Sequence, residues 1–412
     1  MKYIINDQVV LSRPLEGPLA VYIDSFARWL SEQGYALRSL GRQVLIAACF
    51  SRWLEQKAVR LRSVSSEHAT QYLQYRARRV RSQRGDAVAL RYLIEFLSRN
   101  AVIPAEKRPA PRPNSVERCV QAFEHYLRED RVLASATIIT YMPFIRSFLE
   151  GRFDNGTVKL SGLCAGDIVR FVQSQASRLH VKRAKLLTTA LRSFLQYARY
   201  RGEVKMDLAA AVPVVANWSM TSLPRAIATD QVRQLLASIN RHTAMGRRDY
   251  AILLLLARLG LRSSEVAFLE LDDIDWNVGK LHVRGKGGQR SELPLPPDVG
   301  KAIAAYLRRG RPDSASRRVF LRAKAPLRGF QGACGIGSVV RHSLKRAEIN
   351  APTHGAHQFR HGLATEMLRH GASLREIGEV LRHRHVQTTS IYTKVDISAL
   401  RTLALPWPGG AR

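Results

Sequence analysis

Two proline-rich stretches keep this chain from folding around one continuous core. IPAEKRPAPRPNS (103–115) sets four prolines among charged residues, so it cannot run on as helix or central strand. VPVVANWSMTSLPRA (212–226) reads as a second connector and ends just before a helix start. A chain of 412 residues, 46% of them hydrophobic, has enough material for several cores. The cuts leave segments 1–105, 114–211 and 225–412.

The first two segments resemble each other. Phe26, Trp29 and Leu30 of FARWL answer to Phe123, Tyr126 and Leu127 of FEHYL. Trp53 and Leu54 answer to Phe148 and Leu149, and ALRYLIEFL (89–97) answers to ALRSFLQYA (190–198). Apolar residues recur at spacings of three and four in both, which predicts a duplicated four-helix unit. The third segment is mixed. TDQVRQLLASI (229–239) predicts a helix capped by Thr229 or Asp230, and RRDYAILLLLARLG (247–260) a buried helix stopped by Gly260. KLHVRGKGGQRSELPLP (280–296) alternates on either side of a glycine-rich turn, as a hairpin does. Helices are expected over about 297–309, 337–348, 356–370, 373–382, 385–393 and 396–404. The expected fold is multidomain and mainly α, with two N-terminal bundles ahead of a mixed α/β segment holding a small β-sheet.

Charge narrows the partners. Lys and Arg number 65 against 33 Asp and Glu, giving a formal charge of +32 and a pI near 10.9. That excess is the footprint of a nucleic-acid partner, because each phosphate contact releases a condensed counterion. Two runs concentrate it: Arg76, Arg78, Arg79 and Arg81 in YRARRVRSQR (75–84), and Arg178, Lys182, Arg183 and Lys185 in RLHVKRAK (178–185). Each lies just before its repeat's last apolar helix, which favours a shared DNA-facing edge over an ordinary solvated face. Cys49, Cys119, Cys164 and Cys334 are scattered, without zinc or disulfide spacing, as in a reducing cytoplasm. MKYIINDQVV lacks a signal pattern, and the apolar run from Ala251 to Ala257 is too short to span a bilayer. A soluble intracellular protein is expected.

The third segment also carries the chemistry. Arg262 follows the Gly260 stop in Leu261-Arg262-Ser263-Ser264-Glu265, in the turn between two helices. His357 and Arg360 of HQFRH are three apart on a predicted helix and face one way. His383 precedes Tyr392 by nine residues in LRHRHVQTTSIYTKV, and Lys286 sits between Gly285 and Gly287 at the hairpin tip. These side chains suit phosphodiester transesterification without a metal. Two guanidinium forks can hold the non-bridging oxygens as they gain charge. A phenol attacks once its proton is taken or its anion stabilised. A lysine can give a proton to the departing oxygen, whereas guanidinium does not deprotonate. The flanking glycines let the tip approach DNA closely.

Residues 229–394 resemble the catalytic domain of the tyrosine recombinases (phage integrase family), most closely its Xer-like bacterial branch. The resemblance rests on LGLRSSEVAFLELDDID, VRGKGGQRSELPLP, HQFRHGLAT and LRHRHVQTTSIYTKV. It implies that Arg262, Lys286, His357, Arg360 and His383 surround the scissile phosphate and that Tyr392 forms a 3′-phosphotyrosine. It implies too that Glu265 supports Arg262 from behind. His361 and His385 are given structural or supporting roles. Two departures stand out: Arg382 occupies a position where the family usually has Gly, and His357-Gln358-Phe359-Arg360 replaces the commoner His-Asp-Leu-Arg.

The resemblance further implies double-stranded DNA as partner, a tetramer on two duplexes, with or without sibling recombinases, and no ATP, metal or other cofactor. It makes 114–211 a core-binding domain, gives both bundles a SAM-like fold, and points to a bacterial, nucleoid-associated protein from a mobile element. Segment 1–105 is extra, either a further DNA-binding domain or a protomer contact. The residues after Tyr392 are expected to dock on a neighbouring protomer. Two other functions use related groups: DNA relaxation by a type IB topoisomerase, and DNA binding by an accessory protein with a decayed site.

Overall fold

The computed structural model describes residues 3–5, 8–11, 15–81, 85–104, 113–153, 157–215, 224–285, 288–383 and 385–395. It divides into two compact units, Met1–Glu106 with Ser222–Arg412, and Lys107–Thr221. Lys286, Gly287, the expected helix 396–404 and the rest of the chain after Val395 lie outside the described residues. So do residues 82–84 of the first basic run.

The first unit begins with an antiparallel pair, β1 (Tyr3–Ile5) and β2 (Gln8–Leu11), where the sequence reading expects helices alone. Four helices follow: α1 (Ala20–Glu32), α2 (Leu37–Gln56), α3 (Ser66–Ala77) and α4 (Asp86–Arg99). They close over Ile23, Phe26, Leu30, Phe50 and Leu93. The second unit holds α5 (Ser115–Glu129), α6 (Ser135–Phe153), α7 (Ala165–Ala176) and α8 (Val181–Tyr200), closed over Phe123, Phe148 and Phe194.

The internal packing of the two bundles repeats. A 3-10 turn precedes the third helix in each, at Leu61–Ser63 and Leu160–Gly162. Phe26 packs on Phe96 at 5.6 Å between ring centroids, as Phe123 does on Tyr197 at 5.3 Å. Phe50 meets Tyr72 at 5.3 Å, and Phe148 meets Phe171 at 5.1 Å. By this contact Phe50 is a second candidate, beside Trp53, for the counterpart of Phe148. Trp53 lies one helical turn further on and reaches the same Tyr72, at 5.7 Å, which is why periodicity alone selects it. Lys182, Arg183 and Lys185 sit inside α8, not before it.

The C-terminal part of the first unit is built on α10 (Ala244–Leu259), buried on every side from Ala251 to Leu256. Ahead of it, α9 (Thr229–Ala237) is capped at Ala228, not at Thr229 or Asp230. The Thr229 hydroxyl is drawn instead to the Glu366 carboxylate at 3.0 Å, and the Gln231 side chain accepts from the Ala228 N–H at 3.4 Å. After α11 (Ser263–Ala267), strands β3 (Ile274–Asp275), β4 (Lys280–Arg284) and β5 (Arg290–Pro294) form an antiparallel sheet in chain order. The hairpin register runs from Lys280 opposite Pro294 to Arg284 opposite Arg290. Then come α12 (Pro297–Arg309), α13 (Ala333–Arg346), α14 (His357–Arg369) and α15 (Leu374–Val380). The expected helix 385–393 is one turn, α16 (Val386–Thr389), tightening into a 3-10 turn over Ser390–Val395.

Within this unit the first bundle touches the loop before α13. The Leu327 N–H donates to the Gln33 carbonyl at 2.9 Å. Gly34, at φ +78, lies so close that a Cβ there would fall 2.2 Å from the Leu327 side chain. No helix among the described residues is long and apolar enough to cross a membrane.

Candidate active site

Tyr392 belongs to a small apolar cluster with Ala364, Ile377 and Leu381, and only 1% of it is exposed. Its hydroxyl lies 3.0 Å from His361 Nδ1, with the rings edge-on at 5.7 Å. The His383 ring lies parallel to the phenol at 6.4 Å, held by a 2.7 Å contact between its Nδ1 and Thr389 Oγ1. His361, given only a supporting part by the sequence reading, is therefore the hydrogen-bond partner of the tyrosine. Burial, with His357 and Arg360 nearby, pulls the His361 imidazole down to about 4. Burial, then Arg360 and Arg262, does the same to His383. Both rings are neutral near pH 7. Burial pushes the Tyr392 phenol up to about 12, while Arg360 acts in the opposite direction.

Arg360 joins three distant parts of the chain. Helix α14 supplies its backbone, yet its guanidinium donates to the Gly260 carbonyl at 2.6 Å and to the Leu381 carbonyl. Gly260 ends α10 at φ +56, the left-handed region glycine tolerates, and a Cβ there would lie 2.9 Å from Leu381 Cδ2. Burial, reinforced by Arg262 and Arg382, lowers the Arg360 guanidinium to about 10, so it stays charged near neutrality.

Arg262 begins the turn into α11. Glu265, buried, takes the Arg262 backbone N–H on Oε2 and its Nη1 on Oε1, both at 2.8 Å. Arg262 Nη2 also reaches the Arg382 carbonyl at 3.3 Å, and Arg382 Nη2 returns to Glu265 Oε2 at 2.9 Å. Arg382 is thus part of this cluster, which the sequence reading did not anticipate. His357, at the start of α14, is exposed, with its ring 5.5 Å from that of His361. The hairpin leads toward the same place, for a Cβ on Gly285 would stand 4.0 Å from Glu265 Oε1. His385 is exposed, and its carbonyl accepts from the Thr388 N–H at 2.9 Å.

The basic residues of the bundles are of another kind. Arg78, Arg79, Arg81, Arg178, Lys182, Arg183 and Lys185 are exposed. Arg76 is half-buried and pairs with Asp86 at 3.6 Å, so it is not a plain surface charge.

Residues 225–398 match the Phage integrase family. A relative in Sinorhizobium fredii (strain NBRC 101917 / NGR234) that bears an integrase/recombinase name, y4rA, is 60% identical over 412 residues, 100% of both chains. The chain belongs to the phage integrase family of tyrosine recombinases. Tyrosine recombinase XerD of Mycobacterium tuberculosis (strain ATCC 25618 / H37Rv) is 31% identical over 309 residues, covering 70% of this chain and 96% of that one. The solved XerH site-specific recombinase, bound to palindromic difH substrate in a post-cleavage complex, shares the fold. Its TM-score is 0.54 at 18% identity, over 75% of this chain and 93% of that chain. This recombinase is therefore an enzyme of site-specific DNA integration and recombination.

Proposed function

We propose that Tyr392 is the nucleophile of strand exchange, with Arg262, Lys286, His357, Arg360 and His383 around the scissile phosphate and Glu265 fixing Arg262. The observation that carries this reading is the guanidinium of Arg360 held between the Gly260 and Leu381 carbonyls. It ties the turn before Arg262, helix α14 and the turn before His383 together beside the tyrosine. The phenolic oxygen bonds to phosphorus, the bond from phosphorus to the 5′ oxygen breaks, and a 3′-phosphotyrosine forms. His361, neutral and within hydrogen-bond reach, receives the phenolic proton. Lys286 gives a proton to the departing 5′ oxygen. The arginines hold the non-bridging oxygens in a site sheltered from water, where such contacts count most. Attack by the 5′-hydroxyl of another strand reverses the sequence, so bond energy is conserved.

The partner in this reading is double-stranded DNA, and the working assembly is a tetramer on two duplexes. The charge of +32 and the exposed runs Arg78–Arg81 and Arg178–Lys185 support it, and XerH is itself bound to a DNA substrate. We assign 114–211 as the core-binding domain, 225–412 as the catalytic domain, and 1–105 as an additional bundle contacting DNA or a neighbouring protomer. The test is covalent capture. The full chain should trap DNA whose sequencing locates the site, and Tyr392→Phe should bind that site without forming an adduct. A covalent adduct on Tyr392→Phe would sink the assignment.

A further inference from the structure

Arg382 stands at φ +55, a left-handed conformation that burdens every residue but glycine. Its side chain is 11% exposed and donates to Glu265, while its carbonyl accepts from Arg262. What sets Arg382 apart from the other left-handed non-glycine residues described, Ala58, Ala101, Val132 and Glu348, all exposed, is its buried, ion-paired guanidinium. What it adds is charge. Arg262, Arg360 and Arg382 are three cations, and among the described residues the acid that pairs with them is Glu265. Among the described residues two positive charges then remain without a paired acid in a largely buried cluster, which an anion would neutralise. A phosphodiester carries one negative charge, and its five-coordinate transition state carries two. With glycine at this position the arginines would be left with a single net charge, matched to the ground state. With Arg382 the cluster matches the transition state.

We propose that Arg382 is a positioning residue for strand cleavage in this recombinase. By sharing the Glu265 carboxylate, it fixes Arg262 and raises the net charge of the cluster of arginines and Glu265 from one to two. The downward pull of Arg382 on Arg360 is the same repulsion seen from inside the cluster.

This rests on the assignment of Tyr392 and the arginines above, and the test separates the two. Full-length wild-type protein and Tyr392→Phe are first compared on a duplex bearing the site sequenced from wild-type adducts. Absence of a tyrosine-dependent adduct there would overturn both. Given that adduct, Arg382→Gly is the informative variant, because glycine suits φ +55 and leaves Glu265 paired with Arg262. At saturating DNA it should form adduct slower by about tenfold or more, short of the roughly 10²–10³-fold that loss of a donor touching the transition state costs, and Arg382→Lys should recover part of the rate. On a duplex with a neutral methylphosphonate at the scissile position, the gap between wild type and Arg382→Gly should close to about threefold or less, since the extra charge has nothing to meet. Wild-type cleavage by Arg382→Gly would overturn the proposal. An equal deficit on phosphate and methylphosphonate would overturn it too, as a deficit of structure alone.

Discussion

Arg360 and Arg183 carry the same charge in opposite settings. Arg360 is 2% exposed, held by two backbone carbonyls, and so desolvated that its guanidinium falls to about 10. Arg183 is exposed on α8, with its guanidinium 5.5 Å over the Phe144 ring. A buried, fixed cation is already oriented when a charge appears beside it, so it acts on a rate. An exposed cation in high dielectric moves with its counterions, so it acts on affinity and on salt dependence. Composition counts both kinds alike, and only their surroundings separate chemistry from attraction.

The sharpest way to break that distinction is Arg360→Ala. Adduct formation on the captured site should fall on the order of 10²–10³-fold, and the Gly260 and Leu381 carbonyls should lose their donor, lowering the melting temperature. A smaller loss, with cleavage limited only by affinity, would place Arg360 with Arg183. Next in size, alanine at Lys182, Arg183 and Lys185 together should weaken DNA binding across sequences. It should also flatten the log–log salt dependence by about 0.9 for each phosphate left without its cation. Folding stability should stay within about 0.5 kcal/mol for each such surface change. An unaltered salt slope in a filter-binding titration would show that this edge does not meet DNA.

The smallest effect belongs to the histidines beside the buried arginines. His361 and His383 sit at about 4 in the folded chain against an ordinary 6.5. Between those values the unfolded chain binds more protons. Their contribution to stability is therefore complete above pH 6.5 and is lost as the pH falls through about 4. Thermal melts from pH 7 to 4.5 should show a declining midpoint, and His361→Phe should reduce that slope. The same slope in the variant would mean that other groups carry the acid sensitivity.

Much of this molecule is local, and what is local was legible. The hairpin alternates about its glycines, Gly260 stops α10, and His357 and Arg360 share α14 at a spacing of three. What escaped needs the chain to return on itself. His361 also sits one turn from His357, but nothing near it in sequence tells that Tyr392 arrives opposite. Arg382 reads as a departure in a turn until its φ and its hold on Glu265 are seen. Ala228 caps α9, and the Thr229 hydroxyl bonds Glu366, 137 residues further on, a contact no local pattern announces. Phe50 and Trp53 lie one turn apart on one face and both meet Tyr72, so neither periodicity nor the partner ring chooses between them.

The burial of Tyr392 has a consequence for the host genome. A protein with 32 excess positive charges will cling to any duplex it meets. Were Tyr392, as the proposed nucleophile, to stand open, each chance encounter would risk a nick. On the assignment proposed above, a phenol 1% exposed and hydrogen-bonded to His361 meets DNA only once the packing around it opens. Promiscuous adhesion and selective incision can then coexist in one chain, and the safeguard against stray breaks is the packing around a single ring.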